Sequence, residues 1–107
     1  RTCGDEVSFY MRFSEDKVCD CRQRTAGCAI STATASLLVE CLEGMHPNDA
    51  RILLDRVRDM VFRDGPEVDT GELNILAAVR SLPSRHECVG VALKAVADCL
   101  DGESDTE

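Results

Sequence analysis

A chain of 107 residues is long enough for one hydrophobic core and too short for two, so a single domain is predicted. Hydrophobic residues make up 44% of it, yet aromatics are only 4% and tryptophan is absent, which predicts an aliphatic core and argues against stacking on nucleic-acid bases. Twenty acidic against twelve basic residues leave a formal charge of −8, which repels phosphate backbones and points to a basic or mixed-charge protein partner.

Seven cysteines raise the possibility of a disulfide scaffold. The odd count, the ample apolar content and the lack of a signal-like stretch point instead to a reducing, cytoplasmic setting. No run approaches the roughly eighteen apolar residues needed to cross a bilayer, so no membrane partner is expected.

In chain order, Val7, Phe9, Met11 and Phe13 alternate with Ser8, Tyr10 and Arg12, the period-two pattern of a half-buried strand. Ser14-Glu15-Asp16 reads as a turn, and Lys17 to Thr25 as an antiparallel partner strand with Cys19, Cys21 and Gln23 on one face. On that reading both thiols point into the sheet core. After Gly27-Cys28, the run Ala29 to Leu42 predicts a helix closed by Gly44, with small residues over its first two turns.

Pro47 to Val61 places Ala50, Leu53, Leu54, Val57 and Met60 on one helical stripe, with His46 at the N-cap and Pro47 at the first helical position. Its other face, with Arg51, Asp55, Arg56, Arg58 and Asp59, reads as solvated. Arg63-Asp64-Gly65-Pro66 breaks the pattern. A shorter helix capped by Asp69 or Thr70 follows, carrying Leu73, Leu76 and Ala77, and ends at Leu82-Pro83.

The last helix begins near Cys88 and aligns Val89, Ala92, Leu93, Val96 and Leu100 before Gly102. The remainder, Asp101 to Glu107, has no apolar residue and is expected to be an acidic mobile tail behind a domain of residues 1–100. Strands first and helices after predict an α+β fold: a small antiparallel sheet of two to three strands, then three to four helices packed on one face.

Cys3, Asp5, Cys28 and Cys88 are the candidate site, each placed where an ordered element begins. Three soft thiolates and one hard carboxylate suit a four-coordinate metal, and with Zn²⁺ the set is tetrahedral with a net charge of about −2. The helices after Cys28 and at Cys88 present partially positive N-termini, which favour thiolate. Gly4 lets Cys3 and Asp5 share a tight turn, and Arg85 is placed to offset the charge of the site. A closed site reacts only if a ligand leaves, and Cys3, near the chain end, is the candidate nucleophile. The alternative is that these cysteines are buried apolar fillers. His86 reads either as a spare ligand or proton carrier or as a loop histidine, the Cys19/Cys21 pair reads either as a clasp for a soft metal or as core thiols, and Cys41 and Cys99 are assigned no role.

Thr2-Cys3-Gly4-Asp5, the stretch Gly27-Cys28-Ala29-Ile30-Ser31-Thr32-Ala33-Thr34-Ala35-Ser36, and Leu82-Pro83-Ser84-Arg85-His86-Glu87-Cys88 together resemble the U-type iron–sulfur cluster assembly family. The long connection between Cys28 and Cys88, and an arginine three places before the last cysteine, are most similar to the SufU branch. The IscU scaffold branch has a shorter connection and a histidine immediately before that cysteine.

The resemblance implies a SufU/IscU-like α+β fold, zinc held by Cys3, Asp5, Cys28 and Cys88, and a cysteine desulfurase of the SufS type as partner. It also implies that a desulfurase histidine replaces Cys3 on the metal, so that Cys3 takes persulfide sulfur and relays it to downstream iron–sulfur assembly proteins. The alternative function is a scaffold holding a nascent [2Fe–2S] cluster through Cys3, Asp5, Cys28 and Cys88, with His86 as a further possible ligand. A third reading is a zinc domain that only docks other proteins.

Overall fold

The computed structural model describes residues 6–63, 65, 66, 68 and 71–105. Strand β1 (Glu6–Ser14) and strand β2 (Lys17–Ala26) form an antiparallel hairpin, a two-stranded sheet among the described residues. The loop is only two residues, and both adopt left-handed backbone, Glu15 at φ 56° and Asp16 at φ 65°. Positive φ at both positions is the geometry whose twist matches the strands, although glycine and asparagine adopt it at lower cost.

The register runs from Glu6 opposite Ala26 to Arg12 opposite Asp20, then jumps to Phe13 opposite Val18. Cys19 is therefore an extra residue, a β-bulge. This corrects the expectation that Cys19 and Cys21 share the inner face: Cys21 is buried and Cys19 exposed. Strict alternation fails across a bulge, so Val18 and Cys21, three apart, both point inward.

Helix α1 (Ala29–Leu42) packs on β2, and helix α3 (His86–Asp105) packs on β1 and on α1. Both cover the face carrying Phe9, Val18 and Cys21, with Val7, Met11 and Phe13 at its margin. Helix α2 (Pro47–Phe62) forms a further layer against α3. The apolar stripes of α2 and α3 are buried as periodicity predicted: Ala50, Leu53, Leu54, Val57 and Met60 on one, and Val89, Ala92, Leu93, Val96 and Leu100 on the other.

The α1–α2 connection clasps the closed end of the hairpin. Gly44 N–H donates to the Val18 carbonyl at 2.7 Å, and Val18 N–H donates to the Met45 carbonyl at 2.8 Å. Glu43 accepts from the Cys21 N–H at 3.2 Å. Gly44 makes this turn at φ 90°, where a side chain would be strained. His46 occupies the N-cap position of α2 but its side chain caps nothing there; Nδ1–H donates to the Asp16 carbonyl at 2.7 Å.

The segment expected as a short α-helix is instead a 3₁₀ run, Gly71–Ser81. With three residues per turn, Leu73, Leu76 and Val79 align and are buried, while Ala77 of the expected α-type stripe is only partly so. Its expected caps, Asp69 and Thr70, lie outside the described residues. A further 3₁₀ turn, Pro83–Arg85, leads directly into α3. Helix α3 then runs past Gly102, which was expected to close it.

Candidate functional site

Strand β2 ends at Ala26, and one glycine later Cys28 stands at the N-cap of α1 with extended backbone. Cys88 is not ahead of a helix, as expected, but is the third residue of α3, because the preceding 3₁₀ turn starts the helix at His86. Packing of α1 against α3 brings the two together. Their sulfurs, sixty positions apart in sequence, lie 3.3 Å from each other. Cys28 is half-buried and Cys88 fully buried, and neither is in a disulfide.

That separation is well beyond a disulfide bond of about 2.05 Å. It is close to the edge of a tetrahedral zinc–sulfur site, about 3.8 Å for bonds of about 2.3 Å, so the pair fits two positions around one soft ion. Cys28 is the N-cap residue of α1 and Cys88 lies in the first turn of α3, where the partial positive charge of the helix dipole favours an anion. The first turn of α1 has no acidic residue to oppose this, while that of α3 carries Glu87.

Among the described residues no third histidine, cysteine, aspartate or glutamate joins the pair. Cys3 and Asp5 lie outside the described residues. Glu6, the residue after Asp5, pairs with Ala26, two residues before Cys28, so β1 starts at the Cys28 end of the hairpin.

His86 is engaged elsewhere: Nε2–H donates to the Arg80 carbonyl at 3.1 Å, and its ring packs on Phe62 with centroids 5.4 Å apart. Arg85 is exposed at the end of the 3₁₀ turn, where its backbone N–H donates to the Leu82 carbonyl.

Ser31 is a site residue that the sequence reading treated only as small. It is fully buried, its hydroxyl lies 3.8 Å from the Cys28 sulfur, and it also donates to the Cys28 carbonyl at 3.2 Å. Thr32 donates to the same carbonyl through both its N–H and its hydroxyl. The signal was the i, i+3 spacing from Cys28, which puts a side chain back over the helix start.

Cys21, Cys41 and Cys99 have a different chemistry. Burial, with Cys99 and Glu43 nearby, pushes the Cys21 thiol up to about 12. Burial also raises Cys41, helped by Glu40 and Glu72, and raises Cys99, whose thiol donates to the Phe9 carbonyl at 3.6 Å. Thiols held protonated at neutral pH are poor nucleophiles and poor ligands.

The NifU-like N terminal domain family matches residues 1–89. The chain is similar to the iron–sulfur cluster assembly scaffold protein IscU of Streptococcus pyogenes serotype M1, at 32% identity over 99% of this chain and 68% of that protein. It is also similar to the zinc-dependent sulfurtransferase SufU of Bacillus subtilis, at 29% identity over 89% of this chain and 66% of that protein. The fold matches the N-terminal part of a NifU-like protein from Brucella abortus with a TM-score of 0.88 and 24% identity, over 99% of this chain and 75% of that one. With the hairpin leading into Cys28 and the Cys28–Cys88 pair in place on this fold, the chain belongs to the U-type iron–sulfur cluster assembly family.

Proposed function

We propose that this iron–sulfur cluster assembly protein is a zinc-dependent sulfurtransferase that accepts persulfide sulfur on Cys3 from a cysteine desulfurase of the SufS type. The observation that carries the reading is the convergence of two thiols, 3.3 Å apart, at the starts of two helices. Cys3, Asp5, Cys28 and Cys88 would hold zinc, which when bound supplies positive charge that keeps thiolates deprotonated at neutral pH. Cys28 and Cys88, at the starts of packed helices, would be the fixed ligands. Cys3 is the nucleophile: its thiolate attacks the outer sulfur of the donor persulfide, the donor S–S bond breaks, and the desulfurase cysteine leaves as thiolate. Arg85, exposed beside the first turn of α3, adds positive charge where the negative site meets a partner. The similarity to SufU of B. subtilis and the arginine three places before Cys88 support this reading.

A second reading, a scaffold carrying a nascent [2Fe–2S] cluster on the same residues as cargo, is favoured by the similarity to IscU of S. pyogenes. Metal analysis after anaerobic purification separates the two. Colourless protein with one zinc per chain and desulfurase stimulation that Cys3→Ser abolishes, without unfolding the domain, is the expected result. Brown protein with visible iron–sulfur absorption, or stimulation that survives Cys3→Ser, overturns sulfur transfer through Cys3.

A further inference from the structure

The outer face of the hairpin stands apart from the rest of this acidic molecule. α1 and α3 both pack on the inner face, and no described element covers the other. Ser8, Tyr10 and Arg12 of β1 lie there opposite Arg24, Arg22 and Asp20 of β2. Tyr10 is 58% exposed at the centre, with Arg22 directly across and Arg24 and Asp20 on the diagonals.

Arg12 and Arg22 share one oxygen of Asp20, at 3.3 and 3.6 Å, so two guanidinium groups are answered by a single carboxylate. Arg24 is exposed and forms no ion pair among the described residues. Three arginines around an exposed tyrosine therefore leave surplus positive charge on a chain of formal charge −8. Exposed carboxylates bound this basic centre at both ends: Glu6 at one, Glu15 and Asp16 at the other.

We propose that this face binds an extended acidic segment of a partner protein, two or three carboxylates flanking an apolar residue that covers Tyr10. Tyrosine and arginine are the side chains that most often anchor protein interfaces, and the guanidinium fork matches a carboxylate bidentately. Nine strand residues span about 30 Å, and two strands about 10 Å, far below the roughly 800 Å² per partner of a stable globular interface. A second copy would set arginine against arginine. A nucleic acid carries a charge at every nucleotide and meets the repulsion of the whole chain as well as the framing carboxylates. The assignment stands whether or not Cys3 carries sulfur.

The test is selection of a random displayed library of about nine-residue peptides against the full chain, the length that spans the face. Enriched peptides are then titrated by fluorescence anisotropy against the chain, Tyr10→Ala and the double variant Arg22→Glu with Arg24→Glu. The expected peptides are acidic and weaken with added salt. Their affinity falls at least about tenfold in the double variant and several-fold in Tyr10→Ala, while melting temperature and zinc content stay those of the parent. Enrichment of neutral or basic peptides, no enrichment, unchanged affinity in the double variant, or tighter binding of oligothymidylate than of the peptides would each overturn the proposal.

Discussion

At Cys28 the main chain and the side chain have separate partners. The carbonyl is held by Thr32 N–H and by the hydroxyls of Ser31 and Thr32, while the sulfur lies against Cys88 and beside the Ser31 hydroxyl. This arrangement fixes the direction of the sulfur before any metal arrives. Replacing Ser31 with alanine removes the hydroxyl beside the sulfur and the brace on its carbonyl, and under the proposed zinc reading is expected to weaken metal binding by about tenfold, as loss of an outer partner typically does. Competition against a chromophoric chelator measures it; unchanged affinity would show that Ser31 only packs. Cys88→Ser keeps the volume of a fully buried side chain but removes a soft sulfur, so under the proposed zinc reading the metal is expected to be lost far more completely than in Ser31→Ala. The partnership of Cys28 with Cys88 was open to sequence reasoning as chemistry, two thiols at element starts. The engagement of His86 with Arg80 and Phe62 was not, because nothing in its neighbours along the chain distinguishes a ligand from a ring packed on a distant helix.

The hairpin is the element most shaped by a conflict between local preference and tertiary demand. A two-residue loop of Glu15 and Asp16 places two residues with side chains at positive φ. It persists because the Met45, Gly44, Glu43 and His46 contacts clamp that end of the hairpin from the α1–α2 connection. Substituting Asn-Gly at residues 15 and 16 relieves the backbone cost and is expected to raise stability by about 1 kcal/mol, read as a higher urea midpoint. Removing the clamp has the opposite sign: His46→Ala, which loses an exposed hydrogen bond to the Asp16 carbonyl, is expected to cost about 0.5–1 kcal/mol. The bulge belongs to the same contest. Val18 exchanges two backbone hydrogen bonds with the α1–α2 connection, and the chain absorbs Cys19 as an extra residue so that Val18 and Cys21 both reach the core. Period-two reasoning placed Cys19 inward because a bulge leaves no mark in an alternating pattern until the partner strand is known.

Over the whole molecule, the buried thiols make stability depend on alkaline pH. The folded chain holds Cys21 protonated up to about pH 12, against an ordinary value of 9.0, and also raises Cys41 and Cys99. Above pH 9 the unfolded chain therefore releases protons that the folded chain keeps. Stability is expected to be fully present below pH 9 and to fall as pH rises toward 12, with Cys21 contributing up to about 1.4 kcal/mol per pH unit. Urea midpoints measured across that range give the slope. Cys21→Ala is expected to flatten it, and an equal slope in that variant would locate the effect in other groups.

Much of the architecture was legible from residue order alone, because helix and strand periods are local properties of ten or so neighbouring side chains. The stripes of α2 and α3, the alternation of β1, the proline that opens α2 and the order of strands before helices are all of this kind. Where a period depends on the backbone type that packing selects, the reading shifted: Leu73, Leu76 and Val79 stack in one line on the 3₁₀ run, whereas on an α-helix they would spread across a face. The nature of the candidate ligands was written in the residues, but the 3.3 Å meeting of Cys28 and Cys88 was decided by the packing of α1 against α3, which joins positions sixty residues apart. The same is true of the basic outer face, since arginines on two strands become one surface only when the register sets them opposite Tyr10 and Asp20.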